Sequence, residues 1–266
     1  MTYRLAILGG GNMGTALTQG LLARGWADAA ELLVVEPVEG RRKVLADELA
    51  GVAVASQPEG PIAAAVVAVK PADVPEAVRA ARAAGVRRLL SIAAGVSTGR
   101  IEELAGHDVG VIRAMPNTPA LVRQGASAVA AGTTASEDDM AWAEGILRAV
   151  GTVVRVKESD LDAVTGLSGS GPAYVFLLAE ALIDAGVLAG LTRPVAESLV
   201  VQLLVGSAAL LAESGQSPAA LRAQVTSPAG TTAAGLQVLE RAGVRAAFVD
   251  AVASATERSR QLGTVR

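Results

Sequence analysis

A short apolar run at residues 4–8 ends in Gly9-Gly10-Gly11, and a helical pattern opens at Asn12 with Gly14 inside its first turn. The spacing Gly9-x-Gly11-x-x-Gly14 therefore closes a strand and starts a helix. The first glycine allows the tight turn. The second lets a pyrophosphate approach the backbone, and the third lets helix and strand pack closely, with the phosphates on the helix N-terminus. Such a motif alone is a weak signal, because a glycine-rich turn can be purely structural. Its position after the first strand of an alternating pattern favours dinucleotide binding, with Gly9, Gly11, Asn12, Met13 and Gly14 at the phosphates.

That alternation continues to about residue 160. Strand-like runs at 32–35, 65–69, 88–92, 109–113, 126–131 and 152–156 are separated by helical segments at 40–50, 71–84, from 98 and at 137–149. Continuous apolar strands between helices imply a mostly parallel sheet covered on both faces. Beyond residue 160 only helices are expected, at 171–189, 194–213, 218–225, 230–241 and 245–261. Pro172, Pro194 and Pro218 fall at helix starts, where a missing N–H costs little. Leu199, Leu203, Val205, Leu210 and Leu211 cover much of one helix, and a helix apolar on most sides must be buried. About a hundred residues of helix offer little room for that, so part of this surface is expected to pack on a second copy of the chain. The expected fold class is α/β: a Rossmann-type, doubly wound, mostly parallel sheet at 1–160, then an all-α dimerisation domain at 161–266.

Composition narrows the partners. A net charge of −3, with no basic stripe, argues against nucleic acid. The chain has no cysteine and one histidine, His107, so disulfides, thiolate chemistry and a His- or Cys-based metal site are not expected. His107 reads as a surface loop residue. No charged segment followed by a long apolar core opens the chain, so no secretory signal is expected. The apolar stretch 174–191 is interrupted by Glu180 and Asp184, and 199–212 is short for a bilayer, so no membrane partner is expected. A cytoplasmic enzyme is the resulting expectation.

Three segments follow strands at the sheet edge where open α/β proteins bind ligands. They contribute Ala68, Val69, Lys70 and Pro71, then Ala94 and Gly95, then Asn117, as candidate cofactor contacts. Lys70 has two readings, cofactor contact or solvated crevice rim. Glu36 follows the second strand, where an acid meets the adenosine ribose and favours NADH. Arg41 and Arg42 close behind it suit the 2′-phosphate of NADPH instead, and a helix-capping Glu36 beside solvated arginines is the structural alternative. Residues 167–174 read equally as a tight hinge or a ligand contact. At 226–232, Ser227, Thr231 and Thr232 surround Gly230 just before a helix. That is a site for a small carboxylate or an ordinary N-cap.

Taken together, segments 9–14, 68–71, 93–96, 113–119, 162–174 and 225–232 resemble the pyrroline-5-carboxylate reductase family over nearly the whole chain. The resemblance implies hydride transfer from NADPH or NADH to the C=N carbon of 1-pyrroline-5-carboxylate, giving L-proline in the last step of proline biosynthesis. It implies a helical domain that interleaves with a partner in a homodimer, with dimers often assembling further. It also implies that Ser227, Gly230, Thr231 and Thr232 hold the substrate carboxylate, with Thr232 near the ring nitrogen as the catalytic hydrogen-bond partner.

Three positions depart from the family pattern. Ala229 stands where many members have a second glycine, and its methyl is tolerated if its φ is negative. Glu36 stands where NADPH-preferring members often carry a small hydroxyl residue, and Pro58 replaces a polar residue near the adenosine. Other readings are a general cyclic-imine reductase and a non-catalytic dinucleotide sensor. A hydroxyacid dehydrogenase is disfavoured because no lysine follows Lys157.

Overall fold

The computed structural model describes residues 2–264; Met1 and the last two residues, which bound the expected domains, lie outside it. The first part of the chain runs β1 (Leu5–Leu8), α1 (Asn12–Ala23), β2 (Leu32–Val35), α2 (Glu39–Glu48), β3 (Ala53–Ala55), β4 (Ala64–Val67), α3 (Val74–Ala83), β5 (Arg88–Ser91), α4 (Thr98–Ala105), β6 (Gly110–Met115), β7 (Gly125–Ala131), α5 (Glu137–Leu147) and β8 (Gly151–Arg155). These strands form one eight-stranded sheet in the order β3-β2-β1-β4-β5-β6-β7-β8. Every pairing is parallel except β6 with β7. The chain leaves β1 to one side and returns to β4 on the other, the doubly wound Rossmann-type plan whose crevice opens at the β1/β4 switch point.

Alternation within each strand explains the two layers of helix. Leu5, Ile7, Leu32, Val34 and Val66 pack with Leu17, Leu21, Leu45 and Ile146 on one face. Ala6, Leu8, Leu33, Val35 and Val67 pack with Val74, Val78 and Ile101 on the other. Both sets are buried, which is why these strands read as unbroken apolar runs rather than alternating ones. The antiparallel β6/β7 pair follows from a short connection: a tight turn at Thr118–Val122 reverses the chain without a crossover helix. The sequence pattern did not expose β3, whose three half-buried residues carry too little apolar signal.

After β8 comes a strap the sequence reading missed. A turn at Glu158–Asp160 leads into α6 (Leu161–Val164) and a π-helical turn at Thr165–Gly169. Then follow α7 (Gly171–Leu188), α8 (Arg193–Glu213), α9 (Pro218–Gln224), α10 (Thr231–Arg241) and α11 (Val244–Thr264). The chain divides into two compact units: residues through Ser170 together with those from Ala253 onward, and Gly171 to Val252. The division thus falls later than the expected 160/161 boundary, and the chain's end returns to the first unit. The reason lies in packing. Leu161 is buried with Ala128 and Ala130, and Ser259 donates to the Asp162 carboxylate at 2.6 Å.

The second unit leaves its apolar helices open. Leu199, Val201, Leu203, Val205, Leu210 and Leu211 of α8 are all exposed in the single chain, and only Ala196 and Val200 of that helix are buried. The helical run Glu158–Leu188 and α8 are each long and apolar enough to cross a bilayer, with mean hydropathy 1.5 and 1.9. The interruptions noted in the sequence therefore do not exclude spanning length. A surface of this kind requires a cover.

Candidate dinucleotide and anion sites

The glycine loop fits a dinucleotide by steric demand at each position. Gly9 has φ +114, and a Cβ there would lie 2.5 Å from the Ala68 carbonyl oxygen. A Cβ at Gly14 would lie 2.0 Å from the Gly9 carbonyl oxygen. Neither backbone can move aside, so both glycines hold β1, β4 and α1 in contact. Gly11 is the opposite case. A Cβ there meets nothing within 4 Å and projects into open space. Gly11 is also the N-cap of α1, and no side chain caps it. An uncapped helix start beside an open cradle is the arrangement that accepts a pyrophosphate.

Gly10 is clamped from both ends. Its N–H donates to Glu36 Oε2 at 3.1 Å, and its carbonyl accepts from Arg41 Nε at 2.8 Å. Glu36 Oε1 accepts from the Val38 N–H at 2.9 Å. Arg41 also donates to Thr15 Oγ1 at 3.0 Å and pairs with Glu48 at 3.2 Å. Arg42 donates to the carbonyls of Glu36 and Pro37. The capping alternative for Glu36 is thus partly met, since its carboxylate does accept an N–H at the entry to α2.

The other crevice candidates sit at neighbouring strand ends. Ala68 and Val69 are half-buried beside Gly9, whereas Lys70 and Pro71 are exposed. Ala94 and Gly95 follow β5. Gly95 has φ +74 and lies against the backbone of Gly263 near the end of α11. A cavity of about 180 Å³ opens beside Ala94 and Gly95, walled by Thr165, Ser170, Arg258 and Leu262. The last two lie far along the chain, and no sequence spacing ties them to Gly95. Asn117 uses both ends of its amide internally: Nδ2 donates to the Ser168 carbonyl at 3.0 Å, and Oδ1 accepts the Ala126 N–H at 2.9 Å.

A further residue that sequence reasoning passed over is Glu158. Its carboxylate accepts from the Thr98 N–H at 2.7 Å, the Thr98 hydroxyl at 2.5 Å and Arg113 at 3.2 Å. Burial disfavours this charge, but the Thr98 and Arg113 bonds outweigh it and hold the pKa below the ordinary glutamate value. The residue anchors the strap 158–170 to the start of α4 and to β6.

In the second unit, Ser227 to Gly230 forms a tight turn closed by the Gly230 N–H donating to the Ser227 carbonyl at 3.1 Å. Pro228 occupies the second position, where its fixed φ suits the turn. Ala229 has φ +58, so the condition of negative φ placed on its methyl is not met. The turn needs a left-handed third residue, and alanine takes that conformation under strain. Gly230 caps α10 with no side-chain hydrogen bond. A Cβ at Gly230 would lie 2.2 Å from Ser227 Oγ, which the glycine lets sit over the helix start. Ser227 and Thr231 are exposed and Thr232 is half-buried.

Comparison with known proteins places these features in one family. Residues 158–262 match the model described as "Pyrroline-5-carboxylate reductase dimerisation", and residues 4–95 match "NADP oxidoreductase coenzyme F420-dependent". The pyrroline-5-carboxylate reductase of Synechocystis sp. is 45% identical, with 99% of each chain covered. That of Arabidopsis thaliana is 39% identical over 98% of this chain and 96% of its own. Among solved structures, the Coxiella burnetii pyrroline-5-carboxylate reductase superposes with a TM-score of 0.92 at 35% identity, covering both chains fully. The Plasmodium falciparum pyrroline carboxylate reductase with NADP bound gives a TM-score of 0.84 at 31% identity over 98% of each.

Proposed function

Because the chain belongs to the pyrroline-5-carboxylate reductase family, we propose that its two loops divide one reaction: the glycine loop of the first unit holds the dinucleotide, and the 227–232 loop holds the substrate. The chain is an NAD(P)H-dependent oxidoreductase that reduces 1-pyrroline-5-carboxylate to L-proline, and it forms a homodimer. The dinucleotide, when bound, supplies the hydride. Gly9, Gly11, Asn12, Met13 and Gly14 hold its phosphates, with Glu36 on the adenosine side. Ala68, Val69, Lys70, Pro71, Ala94 and Gly95 line the crevice, and Asn117 shapes it from behind.

The observation that carries the substrate assignment is the start of α10. Ser227, Thr231 and Thr232 present hydroxyls that no hydrogen bond within the described residues engages, around a helix N-terminus without a side-chain cap. A carboxylate is stabilised there by N–H groups and the helix dipole. Hydride adds to the carbon of the C=N bond and the ring nitrogen ends with one proton, so the product is a secondary amine. A cyclic imine is readily protonated before hydride arrives, so the protein must orient the ring more than it must supply an acid. The absence of His, Lys and Cys after Lys157 suits that division of labour. Thr232 serves as the hydrogen-bond partner of the ring nitrogen.

In the same proposal the enzyme is cytoplasmic, the open faces of α7 and α8 meet a second copy rather than lipid, and dimers associate into a larger closed assembly. Mass measurement in detergent-free buffer reads the second copy and the larger assembly. The test of the site is oxidation of reduced nicotinamide with 1-pyrroline-5-carboxylate beside 1-pyrroline, which lacks the carboxylate. Thr232→Val is expected to lower kcat/KM roughly 10- to 100-fold, the scale of one transition-state hydrogen bond to a charged group. Its dinucleotide affinity should stay near wild type. Equal turnover of both imines would remove the carboxylate from the reading, and unchanged kcat/KM would remove Thr232.

A further inference from the structure

We infer that this chain selects NADH over NADPH, and that Glu36 is the residue that selects. The inference rests on the reading of Gly9 to Gly14 as the dinucleotide cradle. In that fold an acid at the end of the second strand receives the adenosine ribose hydroxyls, whereas a 2′-phosphate needs a cation or a hydroxyl in the same place. Glu36 directly follows β2, and its carboxylate is tied to the cradle itself through the Gly10 N–H at 3.1 Å. The Val38 N–H fixes the second oxygen at 2.9 Å. A charge held at two points cannot swing out of the way of a phosphate. Ribose hydroxyls, by contrast, find a positioned acceptor.

The two arginines do not reverse this. Arg41 is turned onto the loop: its Nε is spent on the Gly10 carbonyl, and its NH2 on Thr15 and on Glu48. Its positive charge is therefore neutralised by Glu48 and not by Glu36. Arg42 places NH1 between the carbonyls of Glu36 and Pro37, which fixes the bend after β2. Residues 37–40 are Pro-Val-Glu-Gly and offer no hydroxyl for a phosphate, which leaves Ser56, next to the Ala55 partner of Val35, as the hydroxyl at this corner of the sheet. Glu39 is spent on Lys43 at 2.9 Å and the Arg42 guanidinium is engaged by two carbonyls, so the charge held beside the cradle is that of Glu36. Repulsion between neighbouring anions at a partly exposed site amounts to about tenfold or more in affinity.

The experiment is titration calorimetry of the dimeric enzyme with NAD+ and with NADP+, alongside kcat/KM for NADH and NADPH. The wild type is expected to bind NAD+ at least about tenfold more tightly. Glu36→Gln keeps the shape and one acceptor but removes the charge. It should raise NADP+ affinity while lowering NAD+ affinity only slightly, moving the ratio roughly tenfold toward NADP+. Arg42→Ala should weaken both dinucleotides alike. Tighter binding of NADP+ by the wild type, an unmoved ratio in Glu36→Gln, or a loss confined to NADP+ in Arg42→Ala each overturns the inference while leaving the reductase reading intact. Failure to bind either dinucleotide overturns both.

Discussion

Asn117 and Ser168 are joined by a hydrogen bond from the Asn117 side-chain amide to the Ser168 carbonyl at 3.0 Å, which ties the end of β6 to the π-helical turn. The same amide accepts the Ala126 N–H at the start of β7. π-Helical turns are costly and occur mostly at functional sites, and here an external donor serves one of the turn's carbonyls. Asn117→Ala would leave that carbonyl and the Ala126 N–H without their partner, at a cost of about 2 kcal/mol. A fall in Tm of roughly 4–8 °C is expected by differential scanning fluorimetry. An unchanged Tm with weakened dinucleotide binding would instead make Asn117 a direct cofactor contact.

Gly11 and Gly14 separate binding from folding. A Cβ at Gly11 meets no atom of the chain, so Gly11→Ala should keep the wild-type Tm. It should weaken dinucleotide binding by about 100-fold, because the methyl occupies the approach of the pyrophosphate. Gly14→Ala forces a Cβ to within 2.0 Å of a backbone oxygen and should lower Tm as well as binding. Equal Tm losses in the two variants would mean that the loop is a structural turn only.

Much of this was legible in the sequence for a definite reason. The strands buried on both faces, such as 32–35, give unbroken apolar runs, and the helix at Asn12–Ala23 begins and ends where its glycines and polar flanks say. The glycine loop was legible because at Gly9 and Gly14 the steric demands admit one residue type. β3 was hidden because it is short and half-buried. The strap at 158–170 was hidden because its order comes from contacts distant in sequence, Glu158 with Thr98 and Asp162 with Ser259. No local pattern encodes those. The φ of Ala229 was hidden as well, since alanine in place of glycine argues locally for the opposite conformation.

Glu158 makes the strap acid-sensitive. Its folded pKa lies below the ordinary value of about 4.3, so its contribution to stability is complete above that value. The contribution is lost as pH falls through the lowered folded pKa, because protonation removes the acceptor that holds Thr98 and Arg113. Glu158→Gln is expected to cost about 1–2 kcal/mol near neutral pH. The gap in Tm from wild type should narrow as pH falls through the lowered folded pKa, where Glu158 becomes neutral like the glutamine. A gap independent of pH would show that shape, not charge, does the anchoring.

Ala229 carries stored strain in the proposed substrate loop. At φ +58 the alanine methyl costs about 1 kcal/mol relative to glycine, part of which is offset by the greater freedom of glycine in the unfolded chain. Ala229→Gly should therefore stabilise the protein by up to about 1 kcal/mol, seen as a small rise in Tm. Ala229→Val, β-branched at positive φ, should lower Tm and disturb the neighbouring hydroxyls enough to raise KM for the imine. A lower Tm in the glycine variant would show that the turn relaxes in the dimer to a conformation that alanine prefers.

The exposed apolar side chains of α8 give the sharpest test of assembly. Leu203 is 53% exposed in the single chain, amid Leu199, Val201 and Val205, which are exposed to a similar degree. In a homodimer whose helical domain forms the interface, these side chains become core, and burying each contributes about 1.5–3 kcal/mol. Leu203→Glu would place an unpaired charge in that core on both copies, a change of several kcal/mol per dimer. Light scattering at micromolar concentration is expected to show dimer or larger for wild type and monomer or aggregate for the variant. Because the first unit has its own buried core on both faces of the sheet, a soluble monomeric variant should still bind the dinucleotide while losing imine reduction. A Leu203→Glu protein that remains dimeric and fully active would place the interface on another face of the helical unit.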